Sequence, residues 1–245
     1  MISSFIQGGL GNQLFQIAAG LSLSKELNTE YFIFNGQHHL PLQGTNIETY
    51  KNTILKNIKF INRPNINFNV YNEPSFSYSP LPKIDFMYLI GYFQSEKYFQ
   101  NNKKLIKNTF HIEKFDVPKN SVSLHIRKGD YLNFPNKHPT QSFEYYKKAL
   151  ELLGSYSKLY IFSDSPLDEK FNFPNSEFIC STSDYLDFCI MSSCSHNIIC
   201  NSTFSWWAAY LNNNESKKVI APKNWFGPEG PNDWNDVYCK DWIII

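Results

Sequence analysis

The second half of the chain alternates short apolar runs with stretches of helical length. The apolar runs begin near Ser121, Lys158, Asn197 and Lys218, and residues 142–153 show a helical pattern between two of them. Strands that alternate with helices form parallel sheets, because a covering helix must return the chain to the same end of the sheet. The sequence therefore predicts an α/β fold with a parallel sheet covered on both faces.

The N-terminal region predicts a second unit of the same kind. An apolar stretch over residues 2–6 is followed by a glycine-rich turn, a helical pattern from Leu14 onward and a strand over residues 31–34. Residues 36–82 are irregular, and a run that long within an enzyme often carries substrate contacts. The pattern breaks again over residues 116–120, where we place the boundary between two domains.

Three polar clusters directly follow predicted strands of the second half. They begin at Arg127, at Ser163 and at Asn201. In an open parallel sheet, ligands bind outside the carboxyl ends of the strands. We therefore expect the three clusters to converge on one crevice.

Arg127 is the most informative residue of these clusters. The chain contains 23 basic residues, and only Arg63 and Arg127 are arginine. A guanidinium offers a planar fork of donors that grips a phosphate through two hydrogen bonds, which a lysine cannot do. Phosphate binding is our prediction for Arg127, and a buried ion pair with Asp130 is the alternative.

The other clusters each allow two interpretations. Ser202 or Thr203 at a helix N-terminus is either an ordinary cap or part of an anion site. Asp164 either accepts hydrogen bonds from a base or ribose, or shapes a turn before Pro166. The glycine-rich turn at residues 8–12 lacks the spacing of known phosphate loops and indicates only a sharp turn or a close approach.

Composition excludes several classes of protein. A net charge of +1 removes the electrostatic case for binding nucleic acid or an acidic membrane surface. No apolar run approaches the ~18 residues of a membrane-spanning helix, and the N-terminus does not resemble a signal peptide, so we expect a cytoplasmic protein.

No Asp-x-Asp triplet occurs to hold a metal on a nucleotide sugar. The five cysteines lack zinc-site spacing and are expected to be buried thiols.

Five segments, in order along the chain, carry a resemblance to a known family. They are residues 8–16, 91–99, 125–131, 201–207 and 222–226. Together they resemble the motifs of the family 11 glycosyltransferases, the α-1,2-fucosyltransferases of bacteria and animals. Position 128 departs from the pattern, because it is Lys where the family often has a second Arg.

The resemblance implies a GT-B-like α/β fold of two Rossmann-type halves with parallel sheets. Residues 1–116 would form the acceptor-side half and residues 117–245 the half that binds the GDP-sugar. It also implies GDP-β-L-fucose as donor, no cofactor and no metal. The donor-binding residues carried over from the family motifs are Gly9, Gly11, Asn12, Gln13, His125, Arg127, Ser163, Asp164, Ser202, Thr203 and Phe204.

The implied reaction is inverting transfer of L-fucose to the 2-hydroxyl of a galactoside in a surface glycan such as lipopolysaccharide. Arg127 would stabilise the departing GDP, and Asp130 is the first candidate for a catalytic base, with an ion pair to Arg127 or Lys128 as its alternative. His38 and Glu96 are further candidates for the base. The acceptor would be an oligosaccharide or glycolipid, and peripheral association with the inner face of the membrane stays open. A transferase for another nucleotide sugar and a non-catalytic carbohydrate-binding protein are the competing functions.

Overall fold

A computed structural model describes residues 1–36, 46–179, 181 and 183–245. The chain forms two compact units. The N-terminal unit contains residues 1–111 and 233–239, and the C-terminal unit contains residues 112–232 and 240–245. The sequence boundary at 116/117 placed residues 233–239 in the second domain. They pack with the N-terminal unit because Asp233 and Asp236 accept hydrogen bonds from the backbone N–H groups of Ser77 and Tyr78.

In its described part, the N-terminal unit contains five short parallel strands and two helices. The strands β1, β5 and β4 form one sheet in that order, β2 pairs with β3, and all of these pairings are parallel. Helix α1 packs on β1, and its sequence is apolar enough to be buried on almost every side. The elements are β1 (Ile2–Ser4), α1 (Leu10–Glu26), β2 (Ile33–Phe34), β3 (Phe60–Ile61), β4 (Asn69–Asn72), β5 (Met87–Ile90) and α2 (Lys103–Thr109).

The C-terminal unit is a six-stranded parallel sheet with helices between the strands. The strand order is β11-β10-β9-β6-β7-β8. The elements are β6 (Ser121–Ile126), α3 (Phe143–Leu153), β7 (Lys158–Ser163), β8 (Ser176–Ile179), α4 (Asp184–Ser193), β9 (His196–Ile198), α5 (Thr203–Leu211), β10 (Val219–Ala221) and β11 (Ile243–Ile244). The predicted α/β class with parallel sheets is confirmed.

The hydrophobic core of the C-terminal unit is built around strand β6. All six residues of β6 are buried, as expected of the central strand of a sheet covered on both faces. Helix α3 begins where the Ser142 hydroxyl accepts the backbone N–H of Tyr145, and Tyr146 and Leu150 on its apolar face join the core against β6. The tryptophans Trp206 and Trp207 of α5, whose apolar neighbours predict a packing role rather than sugar stacking, are fully buried.

Two further expectations have clear outcomes. The apolar residues within 96–110 predict one helix, but Glu96–Tyr98 and Gln100–Asn102 form separate 3-10 turns before α2. The helix is interrupted at Phe99, whose φ of −138° lies outside the helical range. The predicted buried thiols are found at Cys189, Cys194, Cys200 and Cys239, whereas Cys180 lies outside the described residues.

Within the described ranges, no helix combines the length and apolarity needed to cross a membrane.

Candidate active site

Arg127 lies between two carboxylates just beyond the end of β6. Its Nη2 is 2.6 Å from Asp130 Oδ1, and its Nη1 is 2.9 Å from Asp164 Oδ2. The ion pair with Asp130 was foreseen as the alternative to phosphate binding, whereas the pair with Asp164 was not. A guanidinium carries five N–H donors, so two carboxylate contacts leave donors for a further anion.

Asp164 connects the loops that follow β6 and β7. Its Oδ1 accepts the backbone N–H groups of Lys128, at 2.9 Å, and of Gly129, at 3.2 Å. A side chain at position 129 would push Asp164 aside, because a Cβ there would lie 2.4 Å from Asp164 Oδ2. Both oxygens of Asp164 are therefore committed to holding the Arg127 loop.

The charge of Arg127 is secured by its surroundings. Burial alone would lower the pKa of Arg127, but the neighbouring Asp164 and Asp130 outweigh it and raise the pKa. The guanidinium also lies over the ring of Tyr131, 5.5 Å from its centre, and the Tyr131 hydroxyl donates to the carbonyl of Asn201. Arg127 is thus a permanently charged and oriented donor.

His125 is buried one residue before the end of β6. Burial, with a smaller contribution from Arg127, lowers the pKa of His125 to about 3, so the ring is neutral. Its Nδ1 lies 3.2 Å from the Sγ of Cys200, and the Tyr146 hydroxyl donates to its backbone carbonyl. The ring of Phe204 stands 5.8 Å away, centre to centre.

The segment between β9 and α5 places a helix N-terminus beside these residues. Asn201 anchors it, because its side-chain nitrogen donates to the carbonyls of Pro139 and Trp225 while its oxygen accepts from Gln141. Ser202 is the N-cap of α5 and makes no side-chain capping bond. The α5 N-terminus, with Thr203 and Phe204 in its first turn, is a site of positive potential.

Ser163 ends β7 and shapes the turn that follows. Its hydroxyl donates to the carbonyl of Ser165 at 2.8 Å and accepts the backbone N–H of the same residue at 3.3 Å. The Ser165 hydroxyl in turn accepts from Gly129. The C-terminal unit thus brings together eight predicted site residues: His125, Arg127, Asp130, Ser163, Asp164, Ser202, Thr203 and Phe204.

The other four predicted site residues, Gly9, Gly11, Asn12 and Gln13, lie in the N-terminal unit at the start of α1. Gly8 turns the chain with φ +77°, and a Cβ on it would meet Asn12 Nδ2 at 2.4 Å. Gln13 Nε2 donates to the Gly8 carbonyl at 2.8 Å. Gly9 is the N-cap of α1 and has open space where a Cβ would stand.

The turn at residues 91–94 contacts the glycine-rich turn at residues 8–12. Gln94 Nε2 donates to Asn12 Oδ1 at 2.9 Å, which connects the motif at residues 91–99 to that at residues 8–16. The turn itself is held by Glu73, whose carboxylate accepts the backbone N–H groups of Tyr92 and Phe93 and the hydroxyl of Tyr98. Burial raises the pKa of Glu73 despite these bonds.

Sequence reasoning missed Glu73, Cys200 and the anchoring role of Asn201. Glu73 lies in the irregular stretch, where nothing in its neighbourhood singles it out, and Cys200 was interpreted only as a buried thiol. A signal was present for Asn201, which opens the third polar cluster. Of the further candidates for the base, Glu96 forms an ion pair with Lys103 at 2.7 Å, and His38 lies outside the described residues.

Metal-binding clusters are not found among the described residues, where no three His, Cys, Asp or Glu side chains are grouped to hold an ion. Anion-binding groups are instead concentrated at Arg127 and at the α5 N-terminus. Arg127 and the α5 N-terminus supply the kind of hydrogen-bond donors that hold a phosphate group in other proteins.

The two α/β units, each with parallel sheets, form a GT-B-like fold. This fold is similar to that of a crystal structure of NodZ α-1,6-fucosyltransferase soaked with GDP-fucose, with a TM-score of 0.51 at 12% identity. That similarity covers 86% of this chain and 92% of NodZ.

The sequence profile of glycosyl transferase family 11 matches residues 1–245, and the chain belongs to that family. Two Escherichia coli proteins are similar over nearly their whole length. The O-antigen biosynthesis glycosyltransferase WbnK is 29% identical, with 99% of each chain covered. An alpha-1,2-colitosyltransferase is also 29% identical, with 98% of this chain and 97% of the relative covered. The family predicted from the five motifs is confirmed.

Proposed function

We propose that this glycosyltransferase moves L-fucose from GDP-β-L-fucose to the 2-hydroxyl of a galactoside acceptor, with inversion at C1 and without a metal ion. The observation that carries the proposal is Arg127, a charged fork fixed by Asp130 and Asp164 at the carboxyl end of β6. The names of the relatives support the sugar class, since one transfers colitose in α-1,2 linkage and another serves O-antigen biosynthesis.

The donor's diphosphate is assigned to the C-terminal unit. Arg127 binds the β-phosphate through the donors that its two carboxylates leave unused, and the first-turn N–H groups of α5 face the same charge. As the bond from C1 to the phosphate oxygen breaks, GDP gains negative charge, and these donors stabilise it more strongly than they stabilise the intact donor. They supply the electrostatic stabilisation that a metal provides elsewhere.

Further donor contacts are proposed for the remaining predicted residues. His125 contacts the diphosphate, Phe204 lies against the nucleotide, and Ser163 and Asp164 form the wall nearest the guanosine. Ser202 and Thr203 contribute the helix N-terminus. Gly9, Gly11, Asn12 and Gln13 of the N-terminal unit are proposed to contact donor phosphates or the reaction centre.

Asp130 is proposed as the base that takes the acceptor proton. The acceptor oxygen attacks C1 from the face opposite GDP, its O–H bond breaks, and the proton moves to the carboxylate. The side chain of Asp130 is 41% exposed, so it can reach a bound hydroxyl. If Asp130 is the base, Asp130→Asn will slow single-turnover transfer at saturating GDP-fucose far more than it weakens GDP binding. An unchanged rate leaves Asp130 only as the ion-pair partner of Arg127.

The function is tested by offering the purified protein GDP-fucose, GDP-mannose and UDP-galactose in turn, with lactose as acceptor. The proposal expects transfer from GDP-fucose alone, and an α-1,2 linkage in the product by NMR. Transfer from another donor would assign a different nucleotide sugar, and no binding of any donor would support a carbohydrate-binding protein.

A second candidate is colitosyl transfer. It is favoured by the alpha-1,2-colitosyltransferase that is 29% identical to this chain. Nucleotide-linked colitose belongs in the same assay as a fourth donor. A preference for it over GDP-fucose in kcat/KM would replace fucose in the proposal and leave the assignment of the diphosphate site intact.

A further inference from the structure

Cys200 and His125 form a hydrogen-bonded pair at the ends of two adjacent strands. Strands β6 and β9 are parallel neighbours, and Cys200 follows β9 by two residues. The Sγ of Cys200 lies 3.2 Å from Nδ1 of His125, and both residues are buried. A contact of this length between a thiol and an imidazole nitrogen is a hydrogen bond, and one of the two groups supplies its proton.

Both members of the pair are neutral. Burial raises the pKa of the Cys200 thiol to about 12, and burial also lowers the pKa of His125 to about 3. The thiol therefore keeps its proton, and the imidazole carries a single N–H. Which ring nitrogen holds that proton depends on which partner donates across the 3.2 Å contact.

The surroundings of the sulfur decide the direction of the bond. The Cys200 sulfur already accepts the backbone N–H of Arg127, and the Ser205 hydroxyl lies 3.9 Å from it. A bare imidazole nitrogen is also a much better acceptor than a thiol sulfur. The thiol therefore donates to Nδ1, and the imidazole proton resides on Nε2.

We infer that Cys200 is a positioning residue that fixes His125 as the Nε2–H tautomer, so that this nitrogen donates to the diphosphate of the sugar nucleotide. The inference rests on the proposed function for the identity of the ligand. Nε2 has no hydrogen-bond partner among the described residues, so its proton is available to a ligand. The opposite tautomer would turn a lone pair toward phosphate oxygens and repel them.

The same thiol joins three parts of the site. It contacts the ring of His125, the backbone of Arg127 and the hydroxyl of Ser205 in α5. His125 and Arg127 are proposed to contact the donor, and Ser205 lies in the helix whose N-terminus is proposed to do so. Loss of the thiol should therefore affect donor binding more than the chemical step.

The test compares Cys200→Ala with Cys200→Ser and with Cys194→Ala. Cys194 is the matched control, because it is a fully buried thiol of the same unit that donates to the Ile190 carbonyl and contacts no histidine. Nitrogen-15 NMR of histidine-labelled protein reads the tautomer directly without any ligand. The His125 signals are assigned as those lost in His125→Gln.

The wild type, Cys200→Ser and Cys194→Ala should show one Nε2–H tautomer for His125, because a hydroxyl can replace the thiol as donor. Cys200→Ala should show a mixture of tautomers. It should also raise KM for GDP-fucose about fivefold to tenfold, the effect of one lost hydrogen bond, with a smaller change in kcat.

Three results would overturn the inference. They are an Nδ1–H tautomer in the wild type, a wild-type tautomer and KM in Cys200→Ala, or an equal loss in Cys200→Ala and Cys194→Ala. The proposed function fails separately, if the wild type shows the expected tautomer but does not bind GDP-fucose. Should the alanine variant not fold, the wild-type tautomer still decides the inference, because an Nδ1–H form overturns it.

Discussion

The carboxylate of Asp164 holds Arg127 and the loop around it at the same time. One oxygen lies 2.9 Å from Arg127 Nη1, and the other accepts the backbone N–H groups of Lys128 and Gly129. The loop after β7 therefore sets the direction of the guanidinium that follows β6. Four of the five predictions below concern this arrangement and its neighbours.

Asp164→Asn should weaken donor binding while leaving the fold intact. The amide oxygen can still accept the N–H groups of the loop, but the charge that orients Arg127 is lost. We expect KM for GDP-fucose to rise about tenfold, in line with the loss of one charge-assisted hydrogen bond. Asp168→Asn is the control, since its carboxylate is 63% exposed and forms an ion pair with Lys170. Equal kinetics in the two variants would contradict the role of Asp164.

Gly129→Ala should lower donor affinity and stability together. The new methyl group would stand 2.4 Å from Asp164 Oδ2, which would force the carboxylate away from Arg127. We expect a loss of about 1–3 kcal/mol in the free energy of unfolding, as for other overpacked sites. Thermal unfolding measures it. Gly9→Ala is the control for stability, because nothing lies within 4 Å of its new Cβ. A fully stable Gly129→Ala would show that the loops do not meet as described.

Glu73→Ala should destabilise the turn at residues 91–94. It removes the acceptor for two backbone N–H groups and for the Tyr98 hydroxyl, of which two donors are part-buried, so we expect a loss of about 1–3 kcal/mol in the free energy of unfolding. Denaturant unfolding measures the loss. Glu30→Ala, which breaks an exposed pair with Lys59, should cost less than about 1 kcal/mol. If both variants lose the same stability, Glu73 does not hold the turn.

The neutral state of His125 predicts a loss of stability in acid. Its pKa is about 3 in the folded protein and near 6.5 when unfolded, so below pH 6.5 the unfolded chain binds a proton that the folded protein does not. Stability should therefore fall with pH by about 1.4 kcal/mol per unit between roughly pH 6 and pH 4 from this group. His125→Gln should flatten the profile by that amount. Parallel profiles would mean that His125 titrates normally.

Much of the fold follows from local sequence. Helix α5 occupies Thr203–Leu211 and begins at the Ser-Thr pair where the sequence places a helix N-terminus, whereas its buried aromatic residues are held by packing. Strand β11 was missed because two residues, Ile243–Ile244, give no periodicity, and only their pairing with β10 defines them. Strand β4 was hidden in the irregular stretch because its exposed edge position leaves no apolar pattern.

The candidate site likewise has one part that the local sequence predicts and another that depends on contacts between distant segments. The convergence of three loops followed from the rule that parallel strands end at one edge, and the pair between Arg127 and Asp130 is separated by only three residues. The contact of Arg127 with Asp164 depends on the register of β6 against β7, which pairs Ile126 with Ser163. The bond between Cys200 and His125 depends likewise on β6 against β9. Register of this kind is fixed by the packed sheet rather than by either segment alone.

The central claim is that Arg127 binds the donor diphosphate as a fork, and calorimetric titration of GDP tests it most directly. The variants are Arg127→Lys and Arg63→Lys, which change the two arginines of the chain in the same way. Arg63 is the matched control, because it stacks on the rings of Phe34 and Tyr88 in the N-terminal unit. The account predicts at least about tenfold weaker GDP binding for Arg127→Lys and wild-type binding for Arg63→Lys. Wild-type affinity in Arg127→Lys would contradict it.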